Sequence, residues 1–347
     1  MSKLNLWEKV QAAQGDTIAV MGMTKNTGKT VVLNTLLAQG ATRKIPVGIT
    51  SIGLDGESRD QVFKTPKPLI RVWEGTIIAT ARDTLNRARI SCTKIGTTGF
   101  DSPMGEILLV RADETGDVEV GGATRSSEQM KVMEQLRELG CQKIFLDGAL
   151  GRSHHASPAL ADGVILATGA ALGGSIQDVL RKTKERLQIL TLPKGESSTI
   201  GMARIALTEC RVAVWDNHGK RLPIEGKAAL TSAKELRSVI HSEVAIVAFG
   251  GAVGYSAWEA VLELAKANSG LLVLVSDATR LFVEQRDVNR LREFAGTLKV
   301  IDPIYLLGVT LNPTSPWGAG FDPQEFLDTA REELREWGVT DVMLETN

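Results

Sequence analysis

Strand-sized apolar runs alternate with stretches in which apolar residues recur at helical spacing, and the alternation continues along most of the chain. Residues 17–21 form one such run, and 29–39 follow as a helix that opens directly out of a glycine-containing loop. A second strand is predicted at 47–50, closing in a turn that contains Gly53, Asp55 and Gly56. Residues 69–79 and 106–120 carry β-type patterning with a turn at Glu114-Thr115-Gly116-Asp117, which suits a hairpin insertion. Met130, Met133, Leu136 and Leu139 set a helical period over 127–139, and strands follow at 143–146 and 163–167. Strand, helix and strand in this order argue for βαβ units. The predicted fold class is therefore α/β, with a mostly parallel sheet flanked by helices.

The rhythm breaks over 193–227, where short β runs are separated by polar turns such as Asp216-Asn217-His218-Gly219. It resumes at 244–249, with a helix from Tyr255, strands at 271–275 and 305–311, and a helix over 322–337. This places a boundary near residue 195, dividing the chain into a first domain at 1–195 and a second α/β half at 196–347 that starts with a small β-rich insertion.

Composition narrows the function classes. An apolar fraction of 43% with 23% charged residues supports a sizeable core in a chain of 347 residues. Forty Lys and Arg nearly cancel 41 Asp and Glu, so no long-range field attracts nucleic acid or an anionic membrane, and neither is an expected partner. Cys92, Cys141 and Cys210 lie far apart without a CxxC or Cys/His spacing, which fits reduced residues rather than a zinc site. Residues 1–10 lack a secretory apolar core, and no apolar run approaches the roughly 20 residues of a spanning helix. The expectation is a soluble, cytoplasmic protein.

The strongest chemical signal is Gly22-Met23-Thr24-Lys25-Asn26-Thr27-Gly28-Lys29-Thr30, set between a predicted strand and a predicted helix. Glycine lets the backbone turn so that successive N–H groups face phosphate oxygens, and the helix N-terminus adds partial positive charge. Lys29 is placed to reach the β and γ phosphates of ATP, and the Thr30 hydroxyl to ligate Mg²⁺. The first domain is thus read as a P-loop NTPase-like nucleotide-binding domain. Gly22, Lys25, Asn26, Thr27, Gly28, Lys29 and Thr30 are its candidate contacts. Five residues rather than the usual four separate Gly22 from Gly28. That spacing resembles the loop of the dethiobiotin synthetase and cobyrinic acid amidase group.

Further candidates lie at predicted strand tips. Asp147 ends the run 143–146 and suits Mg²⁺ binding through water, with an Asp-Gly turn as the plainer reading. Asp55 suits either a magnesium- and water-ordering role in catalysis beside Lys29 or a simple turn. Asn312, at the end of 305–311, is placed to bond an adenine edge or to start a loop before Pro313. Lys25 and Arg152 add phosphate charge or solvated surface. The His154-His155 pair has no third ligand nearby in sequence and reads as surface, and Asp277 reads first as a helix cap. Thr97-Thr98-Gly99 and Arg125 are the residues that would furnish a small-molecule substrate pocket.

Longer stretches carry a narrower resemblance. They are residues 21–30, 48–57, 74–80, 97–106, Leu146-Asp147-Gly148-Ala149-Leu150-Gly151-Arg152, 161–170 and Val309-Thr310-Leu311-Asn312-Pro313. Together they resemble the smaller component of the lysine 5,6-aminomutase reactivase. The resemblance implies an ATP- and Mg²⁺-using chaperone that exchanges damaged cobalamin in an adenosylcobalamin-dependent mutase. It also implies a complex with a MutS-like ATPase companion subunit, and leaves a homo-oligomer open. Two other readings stand beside it: an ATP-dependent ligase like dethiobiotin synthetase, and a nucleotide-dependent regulator without turnover. Whether the chain hydrolyses ATP itself, as an ATPase, is left open by these residues.

Overall fold

The computed structural model describes residues 5–52, 69–148 and 156–344. The chain opens with α1 (Leu6–Ala12), β1 (Thr17–Gly22), α2 (Lys29–Thr42) and β2 (Val47–Ser51). There follow β3 (Ile70–Val72), β4 (Ile77–Ala81), the single turn α3 (Arg82–Leu85), β5 (Cys92–Ser102), β6 (Gly105–Ala112) and β7 (Gly116–Val118). Next come α4 (Ser126–Glu138), β8 (Lys143–Asp147), β9 (Gly163–Gly169) and α5 (Ile176–Leu190). A second series comprises α6 (Ser197–Glu209), β10 (Val212–Asp216), α7 (Ala233–Ser238), β11 (Val244–Phe249), α8 (Tyr255–Ala267), β12 (Leu272–Val275), α9 (Gln285–Glu293) and β13 (Thr297–Val300). The chain ends with β14 (Leu306–Asn312), α10 (Pro323–Glu333) and the short β15 (Val339–Thr340).

Two compact units result. The larger combines 1–183 with 305–347, and the smaller takes 184–304. This corrects the division at residue 195. The terminal 43 residues do not belong to a second half, because β14 pairs in parallel with β9 and β15 pairs with β14. A single-chain pattern shows that a strand exists at 305–311 but not which sheet edge it will extend.

The larger unit is built on a nine-stranded sheet in the order β15-β14-β9-β1-β8-β2-β4-β6-β5. The seven strands from β15 to β4 are parallel, and β6 and β5 close one edge as an antiparallel hairpin. The α/β expectation with a mostly parallel, helix-flanked sheet therefore holds. One core joins Ile18 and Val20 of β1, Leu33, Leu36 and Leu37 of α2, Val47 and Ile49 of β2, and Phe145 of β8. Trp7 of α1 packs fully buried beside Phe145, with ring centroids 6.2 Å apart. On the other face Gly48 leaves room for Leu136 and Cys141, so α2 and α4 cover opposite sides of the sheet.

Two local expectations in this unit change. The tight hairpin turn lies between β5 and β6 at 102–105, where Gly105 takes φ 87°, and not at Glu114–Asp117, which leads instead into β7. Thr97, Thr98 and Gly99 lie within β5. There the buried Thr98 hydroxyl donates to Ile107 O at 2.9 Å, so this threonine holds the hairpin together rather than facing a substrate.

The smaller unit has a four-stranded sheet, β10-β11-β12-β13, with β10 antiparallel to three parallel strands. Where short β runs were expected, α6 occupies 197–209. Its buried face is made of Ile200, Ala203 and Ala206, one large side chain and two alanines that set only a faint helical period. Trp258 of α8 is fully buried and donates its indole N–H to Asp287 O at 3.1 Å. Among the described residues no helix is long and apolar enough to cross a membrane.

Candidate functional site

Parallel strands send all their carboxyl ends to one edge of a sheet, and in open α/β sheets ligands bind outside that edge. In the larger unit β1 sits between β9 and β8, and the loop after it carries the glycine motif into α2. The loop needs two left-handed residues. Asn26 adopts φ 61°, a region asparagine tolerates better than most side chains, and Gly28 adopts φ 89° as the N-cap of α2. Because glycine has no side chain, nothing caps the first turn of α2 from within, and that turn contains no acidic residue. A helix start so arranged presents its N–H groups and positive dipole end to an external anion.

Side chains then shape the loop from inside. Lys29 curls back along it, its ammonium 3.5 Å from Thr24 O and 2.8 Å from where a Cβ on Gly22 would sit. A Cβ there would stand 2.7 Å from the Thr27 hydroxyl as well, so a larger residue at 22 would crowd both side chains. Buried Thr27 ties the loop by donating to Thr24 O at 3.0 Å. Burial lowers the Lys29 pKa below its ordinary value of 10.5; the Asp147 carboxylate partly offsets this, and Lys25 adds to the lowering. A cation held half out of water beside a helix N-terminus gains strongly from an arriving phosphate.

Neighbouring strands brace the loop from outside. Met23 N donates to Ala167 O of β9 at 2.9 Å. Asn312, at the end of β14, donates its side-chain amide to Asn26 O at 2.7 Å and accepts from Thr314 N at 3.2 Å. Its Cβ stands 3.1 Å from where a Cβ on Gly28 would be. The Asn312 side-chain amide is therefore engaged with the loop at 22–28.

Asp147 ends β8 between β1 and β2, level with Val20 on one side and Ser51 on the other. The Ser51 hydroxyl donates to Asp147 O at 3.2 Å. Thr30 and Asp147 thus bring a hydroxyl and a carboxylate to the same edge, hard oxygen donors of the kind Mg²⁺ selects. No cluster of three or more His, Cys, Asp or Glu suited to a metal occurs among the described residues. Asp55, Arg152 and the His154-His155 pair lie outside the described residues. Asp277 belongs to the smaller unit, where it caps a short turn by accepting from Thr279 N at 2.9 Å.

A second pinned segment was not anticipated. Residues 121–125 cross the carboxyl ends of β2 and β4. Ala81 N donates to Gly121 O at 2.7 Å, and Gly121 N donates to the Thr80 hydroxyl at 2.9 Å. A Cβ on Gly122 would fall 1.6 Å from Ser51 O, so only glycine allows this approach. Fully buried Gln129 completes the bracing by donating to the Thr50 hydroxyl at 3.1 Å and accepting from Ala123 N at 3.3 Å. The Gly121-Gly122 pair ahead of a helix was the available signal. Arg125 follows as the exposed N-cap of α4 and pairs with Glu128.

No protein-family model matches the chain, and no curated protein matches it. Among solved structures it is similar to a nucleotide-binding protein from Archaeoglobus fulgidus in complex with ADP, in which cobalt was found. The two are 15% identical over 70% of this chain and 85% of that one, with a TM-score of 0.20. A likeness of that size carries no argument about the site, whose case is its own geometry.

Proposed function

We propose that the chain binds ATP with Mg²⁺ in the loop at 22–30 and acts as the ATP-binding component of a chaperone that reactivates an adenosylcobalamin-dependent lysine 5,6-aminomutase. The observation that carries the nucleotide part is the arrangement of Lys29. Its cation is folded over Gly22 at an uncapped helix start, with Asp147 at the next strand tip. The mutase part rests on the sequence resemblance at residues 21–30, 146–152 and 309–313.

In this reading backbone N–H groups of the loop hold the phosphate chain, and Lys29 places its charge on the terminal phosphates. Thr30 and Asp147 would hold Mg²⁺, with Asp55 as a further candidate; the ion, when bound, neutralises charge shared between phosphate oxygens. Nucleotide then favours one arrangement of the carboxyl-edge segments over another, by no more than its difference in affinity for the two. The ligase alternative draws less support, since Thr98 of its expected pocket is spent within the β5–β6 hairpin.

Two measurements test the proposal at its two levels. ATP with Mg²⁺ at a hundredfold excess over Kd should stabilise the protein by about 2.7 kcal/mol in thermal unfolding. Absence of any shift with nucleotides ends the reading. Inactivated lysine 5,6-aminomutase should regain turnover when given ATP, fresh cobalamin, this chain and its MutS-like companion. Nucleotide binding without such recovery would leave a nucleotide-dependent protein with a different client.

A further inference from the structure

The hairpin of β5 and β6 ends the nine-stranded sheet, and β5, 11 residues long, pairs only with β6 among the described residues. A strand so placed offers a row of main-chain N–H and C=O groups to any extended segment that fits it. Proteins blunt such edges with bulges and charged side chains, above all lysine. β5 has both, and their arrangement selects a partner.

The register of β5 against β6 slips between Lys94 and Gly96 and again between Thr97 and Asp101. In a regular strand the odd spacing from Lys94 to Asp101 would place the two on opposite faces. The slips cancel that. Lys94 stands opposite Val110, Thr97 opposite Leu108 and Asp101 opposite Glu106, and these three partners line one face of β6. Lys94, Thr97 and Asp101 therefore share a face, with Thr97 midway between two charges of opposite sign. All three are exposed, and neither charge has an ion-pair or hydrogen-bond partner among the described residues.

A two-fold axis perpendicular to a sheet keeps each face and reverses strand direction. Set at Thr97, it lays β5 of a second copy antiparallel along the first. Lys94 of each copy then meets Asp101 of the other, and Thr97 meets Thr97. Opposite-charge and Thr–Thr pairs are among those that stabilise antiparallel neighbours. Gly96, one step from the axis, brings no side chain to collide. One edge carbonyl is already used, since Gln135 of α4 donates to Thr98 O at 3.2 Å, and it lies within the second slip, between the pairs.

We infer that β5 is a self-recognition edge, at which two copies of the chain join antiparallel about Thr97 into one continuous sheet. A second copy is the occupant because the symmetry satisfies both charges at once; an unrelated strand would need an acidic and a basic residue at the same two places. The inference stands independently of the nucleotide reading.

Analytical ultracentrifugation of the full chain without nucleotide, over a concentration series, tests it in wild type, K94E, D101K and K94E/D101K. Wild type should be a dimer that dissociates on dilution. Each single substitution sets like charges opposite one another twice, so dimer affinity should fall about tenfold or more, the scale of two lost cross-strand charge pairs. The double variant exchanges the charges and should regain the dimer. Mixing K94E with D101K should give a heterodimer, read with one variant labelled, since each then meets its complement at both ends. A wild type that stays monomeric throughout the series overturns the inference. So does a dimer equally strong in every variant, which would place the interface elsewhere. Failure of the two folded single variants to pair when mixed, beside a dimeric wild type, overturns it as well.

Discussion

The two units each contain a strand that runs through a glycine-rich loop into an uncapped helix, and only one of the two loops is chemically equipped. In the larger unit β1 leads through 22–28 into α2; in the smaller, β11 leads through Gly250-Gly251-Ala252-Val253-Gly254 into α8. Both helices begin at a glycine N-cap without a side-chain cap or an acidic first turn. Their contents then diverge. The first loop holds a half-buried lysine folded inward and oxygen donors at Thr30 and Asp147. In the second, Gly250 N and Val253 N already donate to Arg211 O and Arg280 O at 2.8 Å each. Leu207, Ala229 and Leu230 close on its glycines. A helix dipole and glycines make a turn; the first loop adds a desolvated cation and nearby oxygen donors, and the proposed phosphate binding depends on that difference.

The sharpest way to break this contrast is Lys29→Ala. A hydrogen bond to a charged group contributes about 1.5–3 kcal/mol, so ATP affinity should fall by roughly a hundredfold at the upper end. At a nucleotide concentration that stabilises wild type by about 2.7 kcal/mol, the variant should then gain only about 0.4 kcal/mol. Its stability without nucleotide should hold or rise, since burial already penalises the Lys29 cation. Thermal unfolding with and without Mg-ATP reads both at once. An equal nucleotide shift in variant and wild type would mean that the loop is as inert as its counterpart after β11.

The same residue allows a pH test. Burial sets the free-state pKa of Lys29 below 10.5, and a bound phosphate raises it again. Affinity should therefore be level at neutral pH, fall as pH climbs through the lowered free-state pKa, and level off above the bound-state pKa. Lys29→Arg keeps its charge across this range and should flatten the profile. A wild-type affinity unchanged up to the ordinary lysine range would show that the ammonium does not meet the phosphates.

What the sequence made legible follows the same division between local and distant. The β1–loop–α2 unit is visible because strand period, left-handed glycine and helix start lie within 26 residues of chain, from Thr17 to Thr42. Asn312 was visible as a strand-end residue, but its partner Asn26 lies 286 positions away, and only strand pairing brings them together. The strand β5 escaped notice because an edge strand with Gly96, Gly99 and polar residues on both faces lacks the alternation of a half-buried one. For α6 the apolar stripe is mostly alanine, too small to stand out from its serines and threonines. The return of 305–347 to the first sheet depends on which edge is free, a property of the assembled fold.

The smallest expected effect guards the comparison from the other side. Gly254 caps α8 with φ −95°, a conformation alanine adopts without strain. An added Cβ would stand 3.3 Å from Leu230 Cδ2, and that leucine, more than half exposed, has room to move. Gly254→Ala should thus cost about 0.5 kcal/mol of stability, mainly through the poorer N-cap. It should leave nucleotide affinity as it is, because the loop amides at 250 and 253 are already taken by carbonyls. Calorimetry on this variant asks whether the turn after β11 contributes to nucleotide binding at all. A fall in affinity comparable to that of Lys29→Ala would show that glycine, turn and dipole suffice without the buried cation, and the distinction between the two loops would have to be abandoned.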